Sequence, residues 1–174
     1  MHRFTELVRR STEFTLGRLS EANERTLEAL QTSGATTLVK ALQMIQLQKA
    51  IFAIGMFSIF EAQLQDSLGC ADGFERARDI LNDAGESELR DRFEHLFLAV
   101  NVLKHGRGRS YDKLVASAQS LPFRVKLSDE VFLEEGDVAE ISTLVEVDDA
   151  FVELCGSVVA EVAKVIEQRT GIAL

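Results

Sequence analysis

The sequence predicts a mainly α protein: an antiparallel helical bundle of four to five main helices, with a small β-hairpin before the last helix. Apolar residues recur at intervals of three and four along most of the chain, which is the period of an amphipathic helix. There is one proline, Pro122, and no tryptophan, and turn-forming clusters are rare before residue 105, which disfavours a sandwich of short strands. A chain of 174 residues can form one domain with its own core. We therefore treat residues 1–174 as a single domain.

The first two predicted helices are long. Apolar positions on a polar background predict an amphipathic helix over residues 3–32, ended by Ser33 and Gly34. The second, over residues 35–68, contains the uncharged run AIFAIGMFSIF from Ala50 to Phe60. This run is shorter than the roughly 18 to 20 residues that span a bilayer. A helix that is apolar on most sides belongs in the middle of a bundle or in a subunit interface, so we predict no membrane segment.

Three further helices are predicted next. A short helix is predicted over residues 74–82, and a longer one over residues 87–105 ends at Gly106. Another short helix is predicted over residues 111–118, before Pro122. The longer helix has a clear apolar stripe, formed by Leu89, Phe93, Leu96, Phe97, Val100 and Leu103.

The hydrophobic period then changes from 3.6 to 2. The segments FRVKL (123–127) and STLVEV (142–147) have the alternation or the β-branched content of strands, and they predict a small hairpin with a long acidic connection. Asp148 or Asp149 is suited to be the N-cap of the last helix. The face of that helix is formed by Phe151, Leu154, Cys155, Val158, Val162, Val165 and Ile166.

Charge is distributed unevenly in this acidic chain, whose formal net charge is −9. Residues 90–126 contain eight Lys and Arg against three Asp and Glu, whereas residues 127–163 contain eleven acidic residues and no Lys or Arg. A local basic patch can bind phosphates even on an acidic protein. The acidic segment, centred on residues 129–149, is a solvated loop, a cover for the basic patch or a surface for a basic partner.

No cofactor or metal site is predicted. Cys70 and Cys155 lie far apart without metal-ligand spacing, and no secretory signal is recognisable, which indicates reduced thiols in the cytoplasm. Cys155 lies on an apolar helical face and is read as a core residue. His2 and His95 have no companions at ligand spacing, and no P-loop, dinucleotide fingerprint or nucleophile elbow is found.

The candidate site is the segment NVLKHGRGRSY, residues 101–111. At about 100° per residue, Asn101 and His105 are one turn apart and share a helix face. A histidine is suited to proton transfer in RNA cleavage, and Arg107 and Arg109 are suited to bidentate phosphate contacts. Lys104 adds positive charge.

Other residues of the segment have two readings. The glycines Gly106 and Gly108 permit close approach of a phosphate to the backbone. Tyr111, the single tyrosine, either stacks on a base or anchors the turn on the bundle. The plain alternative for Asn101 and His105 is an ordinary helix end, and for the basic residues a solvated turn that complements the helix dipole.

The pattern Asn-x-x-x-His-Gly at the end of an amphipathic helix, formed here by Asn101, His105 and Gly106, resembles the HEPN superfamily. Its motif is Arg followed by four to six residues and His, often Arg-Asn-x-x-x-His. The resemblance implies a helical bundle, a homodimer and metal-independent ribonuclease activity, often in toxin–antitoxin or phage-defence systems. It assigns catalytic roles to Asn101 and His105. The chain departs from the motif at Val100, where the family has its arginine.

Two functions are therefore predicted. In the first, the domain acts on RNA, with Asn101 and His105 as catalytic residues and Lys104, Arg107, Arg109 and Tyr111 as RNA-binding residues. In the second, a catalytically silent HEPN-like module dimerises and binds a protein partner, an antitoxin for example. A dimer built only for structure, on the apolar second helix, is a third possibility.

Overall fold

A computed structural model describes residues 3–127, 130 and 143–174 of the chain. In this part of the molecule the backbone forms six α-helices and one short 3-10 turn at Ala118–Ser120. The helices agree with the predicted ones to within a few residues at each end. Their bounds are α1 Phe4–Leu30, α2 Thr36–Leu68, α3 Gly73–Ala84, α4 Ser87–His105, α5 Arg109–Ala116 and α6 Asp149–Thr170.

Helices α1 and α2 pack against each other as a long antiparallel hairpin. At its base the Phe4 ring stacks on Phe60, with centroids 5.8 Å apart. Towards the other end, Leu42 and Ile45 are buried but are not part of the main hydrophobic core. The tip of the hairpin thus extends beyond the bundle, so side chains there have few partners within the chain.

Helix α3 is bounded by sequence-specific caps and lies very close to α2. The carboxylate of Asp72 accepts a hydrogen bond from the backbone N–H of Glu75 at 2.8 Å, which stabilises the start of the helix. A Cβ on Gly73 would lie 2.8 Å from the carbonyl oxygen of Glu61, so this approach requires glycine. The core between α2, α3 and α4 is a cluster of aromatic rings with centroids 5.3 to 6.3 Å apart, formed with Phe4 by Phe57, Phe60, Phe74, Phe93 and Phe97.

Helix α6 is the central element, in contact with α1, α2, α3 and α4. Of the two predicted caps, Asp148 is the one used: its carboxylate accepts a hydrogen bond from the N–H of Phe151 at 2.7 Å. Asp149 instead pairs with Lys49 at 2.7 Å. Because neighbours surround α6, it buries more residues than the predicted face alone, including Val152, Val159 and Ala163.

The predicted β-hairpin is corrected by the structure. In the described residues the two segments form no strands, only an isolated antiparallel bridge between Val125 and Val145. Its hydrogen bonds run from Lys126 N–H to the Leu144 carbonyl and from Glu146 N–H to the Arg124 carbonyl, at 2.9 and 3.0 Å. The alternating valines Val125, Val145 and Val147 are buried in the helical core, so the pattern reflects burial against helices. Ser142 and most of the acidic segment lie outside the described residues.

Helix α2 is the one helix of the described part that is long and apolar enough to span a bilayer by length and composition alone. A third of its most apolar stretch is buried within the chain. Its inner side contributes Phe57, Phe60 and Leu64 to the core. This is the arrangement of a bundle helix.

Candidate functional site

The site lies where α4 ends and α5 begins. Gly106 stops α4 with φ +73° and ψ −144°, a backbone conformation that is essentially restricted to glycine. Its N–H donates to the Val102 carbonyl at 2.8 Å. This turn leaves His105, the last residue of α4, exposed, while Asn101 one turn earlier is half-buried.

One open cavity of about 330 Å³ is formed at this turn. The structure thus brings together four of the six predicted site residues, Asn101, His105, Arg107 and Arg109. The cavity is at the small end of the range for ligand pockets, and a phosphate or part of a nucleotide fits this size. Its complete lining is Asn101, His105, Gly106, Arg107, Gly108, Arg109 and Ser110.

The other two predicted residues are placed differently. Lys104 is exposed in the last turn of α4 and does not line the cavity. Tyr111 is buried, with 6% of its surface exposed, and its hydroxyl donates to the Lys126 carbonyl at 2.6 Å. Arg107 lies over its ring at 5.3 Å from the centroid. Of the two readings of Tyr111, this placement supports the one in which it anchors the turn.

The cavity lies at the start of α5, where Gly108, Arg109 and Ser110 line it. Helix α5 begins at Arg109, and its N-cap Gly108 provides no side-chain cap. The first N–H groups of an α-helix have no acceptor within the helix, and together with the helix dipole they favour an anion. A Cβ on Gly106 or Gly108 would meet no atom within 4 Å, so the space beside both glycines is open. Ser110, in the first turn of α5, is a lining residue that the sequence analysis missed.

In the described part of the chain, no acidic side chain forms an ion pair with the two arginines of the turn, Arg107 and Arg109. By contrast, Arg92 makes a two-pronged contact with Glu161 at 2.9 and 3.1 Å, and Arg90 contacts Asp91 at 2.6 Å. Within the described residues, Arg107 and Arg109 thus differ from Arg90 and Arg92 of the same basic stretch, which have acidic partners. One carboxylate, Asp112, is nearby in the first turn of α5.

The position of the missing motif arginine is buried. Val100 is 4% exposed and belongs to the hydrophobic core. Helix α4 contacts α2, α3, α5 and α6, so its buried surface is wider than the predicted stripe and includes Leu98, Ala99 and Val102. An arginine at position 100 would place its charge in the core, and such burial is costly without a partner.

Other chemistries find less support in the described part of the chain. No group of three His, Cys, Asp or Glu residues there is arranged to hold a metal ion. Cys155 is fully buried, and burial raises the pKa of its thiol, which suppresses the reactive thiolate. Cys70 is half-buried. Within the described residues, neither metal binding nor thiol chemistry therefore competes with the turn after α4 as a candidate site.

Comparison with known proteins adds no assignment. No family model, no curated protein and no solved structure matches the chain. The resemblance to the HEPN superfamily, carried by Asn101, His105 and Gly106, stays a prediction. The protein is a mainly helical bundle, and a basic, glycine-containing turn between two of its helices lines a small cavity.

Proposed function

We propose that the turn between α4 and α5 binds the phosphate backbone of RNA, and that His105 transfers a proton during metal-independent cleavage of the strand. The observation that carries the proposal is the convergence of Asn101, His105, Arg107 and Arg109 on one open cavity. A polar amide, an imidazole and two guanidinium groups are the set that phosphodiester chemistry needs. The glycine backbone and the start of α5 add N–H donors.

The reaction that fits this set uses the 2′-hydroxyl of the RNA itself. The hydroxyl loses its proton, its oxygen attacks the adjacent phosphorus, and the bond to the 5′-oxygen breaks as that oxygen gains a proton. The products are a 2′,3′-cyclic phosphate and a free 5′-hydroxyl. His105 performs one of these proton transfers, as base or as acid, and water serves the other.

The two arginines stabilise the charge that develops on the phosphate. In the HEPN motif that role belongs to the arginine preceding the asparagine, and the buried Val100 has no such group. Arg107 and Arg109 follow His105 by two and four residues and line the same cavity. Guanidinium groups form bidentate hydrogen bonds with phosphate oxygens. Asn101 orients His105 or the substrate from the preceding turn of α4.

The biological setting follows from the resemblance alone. HEPN ribonucleases commonly act as homodimers in bacterial toxin–antitoxin or phage-defence systems, and we propose the same for this chain, in the cytoplasm. An antitoxin that covers the basic turn would then control activity. Such a partner would carry acidic groups facing Arg107 and Arg109.

A ribonuclease assay in the presence of a metal chelator tests the proposal. The purified protein is compared with His105→Ala and with the control His95→Ala, which removes a half-buried histidine from the same helix outside the cavity. We expect cleavage of total RNA or tRNA by the wild type and by His95→Ala. Loss of cleavage in folded His105→Ala would establish the role of this histidine, whereas equal cleavage by both variants would overturn it.

A second candidate function is the catalytically silent module. The observation in its favour is the buried Val100, because this position cannot present the family's arginine to a substrate. In that case the cavity binds a phosphate or an acidic protein surface without chemistry. Binding of RNA that depends on Arg107 and Arg109, without cleavage by the wild type, would identify this second function.

A further inference from the structure

The side chains of Arg107 and Tyr111 form a layered pair at the basic turn. The guanidinium carbon of Arg107 lies over the Tyr111 ring, 5.3 Å from its centroid, which is within the range of a cation–π contact. The ring is buried, and its hydroxyl donates to the Lys126 carbonyl at 2.6 Å. Arg107 is exposed and lines the cavity, whereas Tyr111 does not. The guanidinium therefore lies between an anchored aromatic ring and the open cavity.

Two other arginines lie over aromatic rings in the described part of the chain, and both also form ion pairs with glutamates. These two groups are Arg78 with Phe97 and Glu94, and Arg18 with Phe14 and Glu21. Within the described residues, Arg107 is thus the arginine that lies over a ring and has no acidic partner. Its guanidinium is held in place by the ring and keeps its charge available to a ligand.

We propose that the outer face of the Arg107 guanidinium is a stacking platform for one nucleobase, and that Tyr111 is the positioning residue that holds it. A guanidinium group is planar, delocalised and weakly hydrated, so it stacks on aromatic planes. Proteins that recognise RNA stack unpaired bases on aromatic side chains or on arginine planes. Since Arg107 already covers the Tyr111 ring, the exposed face of Arg107 is the surface on which a base can lie. The inference rests on the proposed function, because it names how the same site recognises its nucleotide.

Stacking and phosphate binding use different parts of one guanidinium group. Its N–H groups lie in the plane of the group and point outward from its edge, whereas a ring or a base contacts its faces. Arg107 can therefore donate hydrogen bonds to a phosphate while its two faces contact Tyr111 and a base. A lysine at this position would keep the positive charge, but it has no plane on which a base could stack.

The cavity has open space beside this platform. Its volume is about 330 Å³, which accommodates part of a nucleotide. A Cβ on Gly106 or Gly108 would meet no atom within 4 Å, so the backbone on both sides of Arg107 leaves room for a ligand. Arg109 and Ser110 line the same cavity and are left for the phosphate of that nucleotide. A base can reach the platform only when it is neither paired nor stacked in a duplex, so the site takes an unpaired nucleotide.

Two small ligands that differ in the base test the platform with the whole chain. The ligands are adenosine 5′-monophosphate and ribose 5-phosphate, which share a sugar and a phosphate. Titration of the isotope-labelled protein followed by NMR measures both dissociation constants, and the amide signals of Gly106 and Gly108 report binding at this cavity. We expect the wild type to bind adenosine 5′-monophosphate at least about fivefold more tightly, because one stacked base contributes at least that much to affinity.

Two lysine substitutions separate the platform from charge. Arg107→Lys keeps the positive charge and removes the plane, so ribose 5-phosphate should still bind and the ratio of the two affinities should fall towards one. The matched control Arg109→Lys makes the same change at the other arginine of the cavity. It should weaken both ligands alike and leave the ratio as it is in the wild type, because Arg109 contacts the phosphate and not the base.

Substitution of Tyr111 tests its positioning role. Tyr111→Phe keeps the ring beneath Arg107 and should keep the affinity ratio, although it loses the hydrogen bond to the Lys126 carbonyl. Tyr111→Leu removes the ring and should lower the ratio at least about twofold, because the guanidinium is no longer held by a cation–π contact. A merely structural role would weaken both ligands alike and leave the ratio unchanged. Circular dichroism checks that each variant is folded, and Arg107→Lys decides the platform if Tyr111→Leu is not.

Three results would overturn the proposal. One is equal binding of the two ligands by the wild type, which would leave the phosphate contacts of the proposed function intact. Another is a base preference that Arg107→Lys retains, which would place the base elsewhere. The third is binding of neither ligand, which would overturn the phosphate site as well. A base preference that depends on Arg107, in a protein that cleaves no RNA, would support the platform and overturn only the catalytic role of His105.

Discussion

Three arginines of α1 and the two arginines of the turn between α4 and α5 are all exposed, but they differ in their acidic partners. Arg9, Arg10 and Arg18 of α1 each contact a glutamate three or four residues away, at 2.6 to 2.8 Å. Arg107 and Arg109 form no ion pair within the described residues, and they line a cavity with His105. The comparison indicates that a basic site is marked by charge left without local neutralisation, beside backbone donors, and not by the number of basic residues.

Reversing charge at the two places should have very different effects on RNA binding. We expect Arg107→Glu with Arg109→Glu to weaken binding at low salt by at least about tenfold, since each removes a charge-assisted contact. The control, Arg10→Glu with Arg18→Glu, changes the net charge equally and should leave affinity nearly unchanged. Fluorescence anisotropy with a labelled single strand measures both.

Salt dependence sharpens the same comparison. For single strands the logarithm of affinity falls with the logarithm of salt concentration by about 0.7 per neutralised phosphate. Losing two contacts at the turn should reduce this slope by about 1.4. Equal losses of affinity and slope in the α1 control would show that net charge alone governs binding and that the turn is not a specific RNA-binding site.

Alanine substitution should cost more stability at the glycine after α4 than at the glycine between α1 and α2. Gly106 has φ +73° and ψ −144°, so Gly106→Ala should cost about 1 to 3 kcal/mol of unfolding free energy. Gly34, between α1 and α2, is not among the glycines with positive φ, and Gly34→Ala should change stability by less than about 0.5 kcal/mol. Urea denaturation monitored by circular dichroism measures both. Similar costs at the two positions would contradict the conformational role of Gly106.

A smaller effect is expected from the anchor beneath the turn. Tyr111→Phe removes the hydrogen bond to the Lys126 carbonyl, 2.6 Å long, and should cost about 1 kcal/mol. Thr32→Val removes the exposed contact of a hydroxyl with the Ala29 carbonyl at 3.2 Å and should cost little, because water replaces it. The same denaturation measurement separates them. A neutral Tyr111→Phe would show that ring packing alone holds the turn.

The smallest loss of stability is expected when glutamates of α1 are replaced and its arginines are kept. Replacing Glu6, Glu13 and Glu21 by Gln should cost about 0.3 to 0.5 kcal/mol per pair. RNA affinity should change little, because α1 has neither the cavity nor the helix start that the turn provides. A rise in RNA affinity of about tenfold in this variant would show that unpaired charge alone is sufficient and that the cavity is not needed.

The helices could be located from the sequence because their signals are local. Asp72 and Asp148 accept hydrogen bonds from N–H groups three residues further on, and Gly106 ends α4 where the apolar stripe stops. The candidate site could be found for the same reason. Asn101, His105, Arg107 and Arg109 lie within nine residues of one another, and a helix end followed by a short turn keeps such neighbours together.

Burial was predicted less well. The prediction of an amphipathic helix for α1 rests partly on the apolar residues Leu7, Phe14 and Leu27, yet these are 46 to 65% exposed. In α4 the opposite holds, since Val102 lies outside the predicted stripe and is 2% exposed. The prediction of a β-hairpin was wrong for a similar reason. Val125, Val145 and Val147 are buried by packing against helices and not within a sheet.

The sequence by itself determined where the helices begin and end, and which polar residues gather at the end of α4, because hydrogen bonds and caps within a helix join residues a few positions apart. The tertiary structure alone decided that Val100 is buried, that Tyr111 anchors the turn beneath Arg107, and that the side of α2 with Met44 and Ile59 is left exposed. Those outcomes depend on contacts between residues far apart in the chain, and periodicity carries no information about which neighbour, if any, covers a given face.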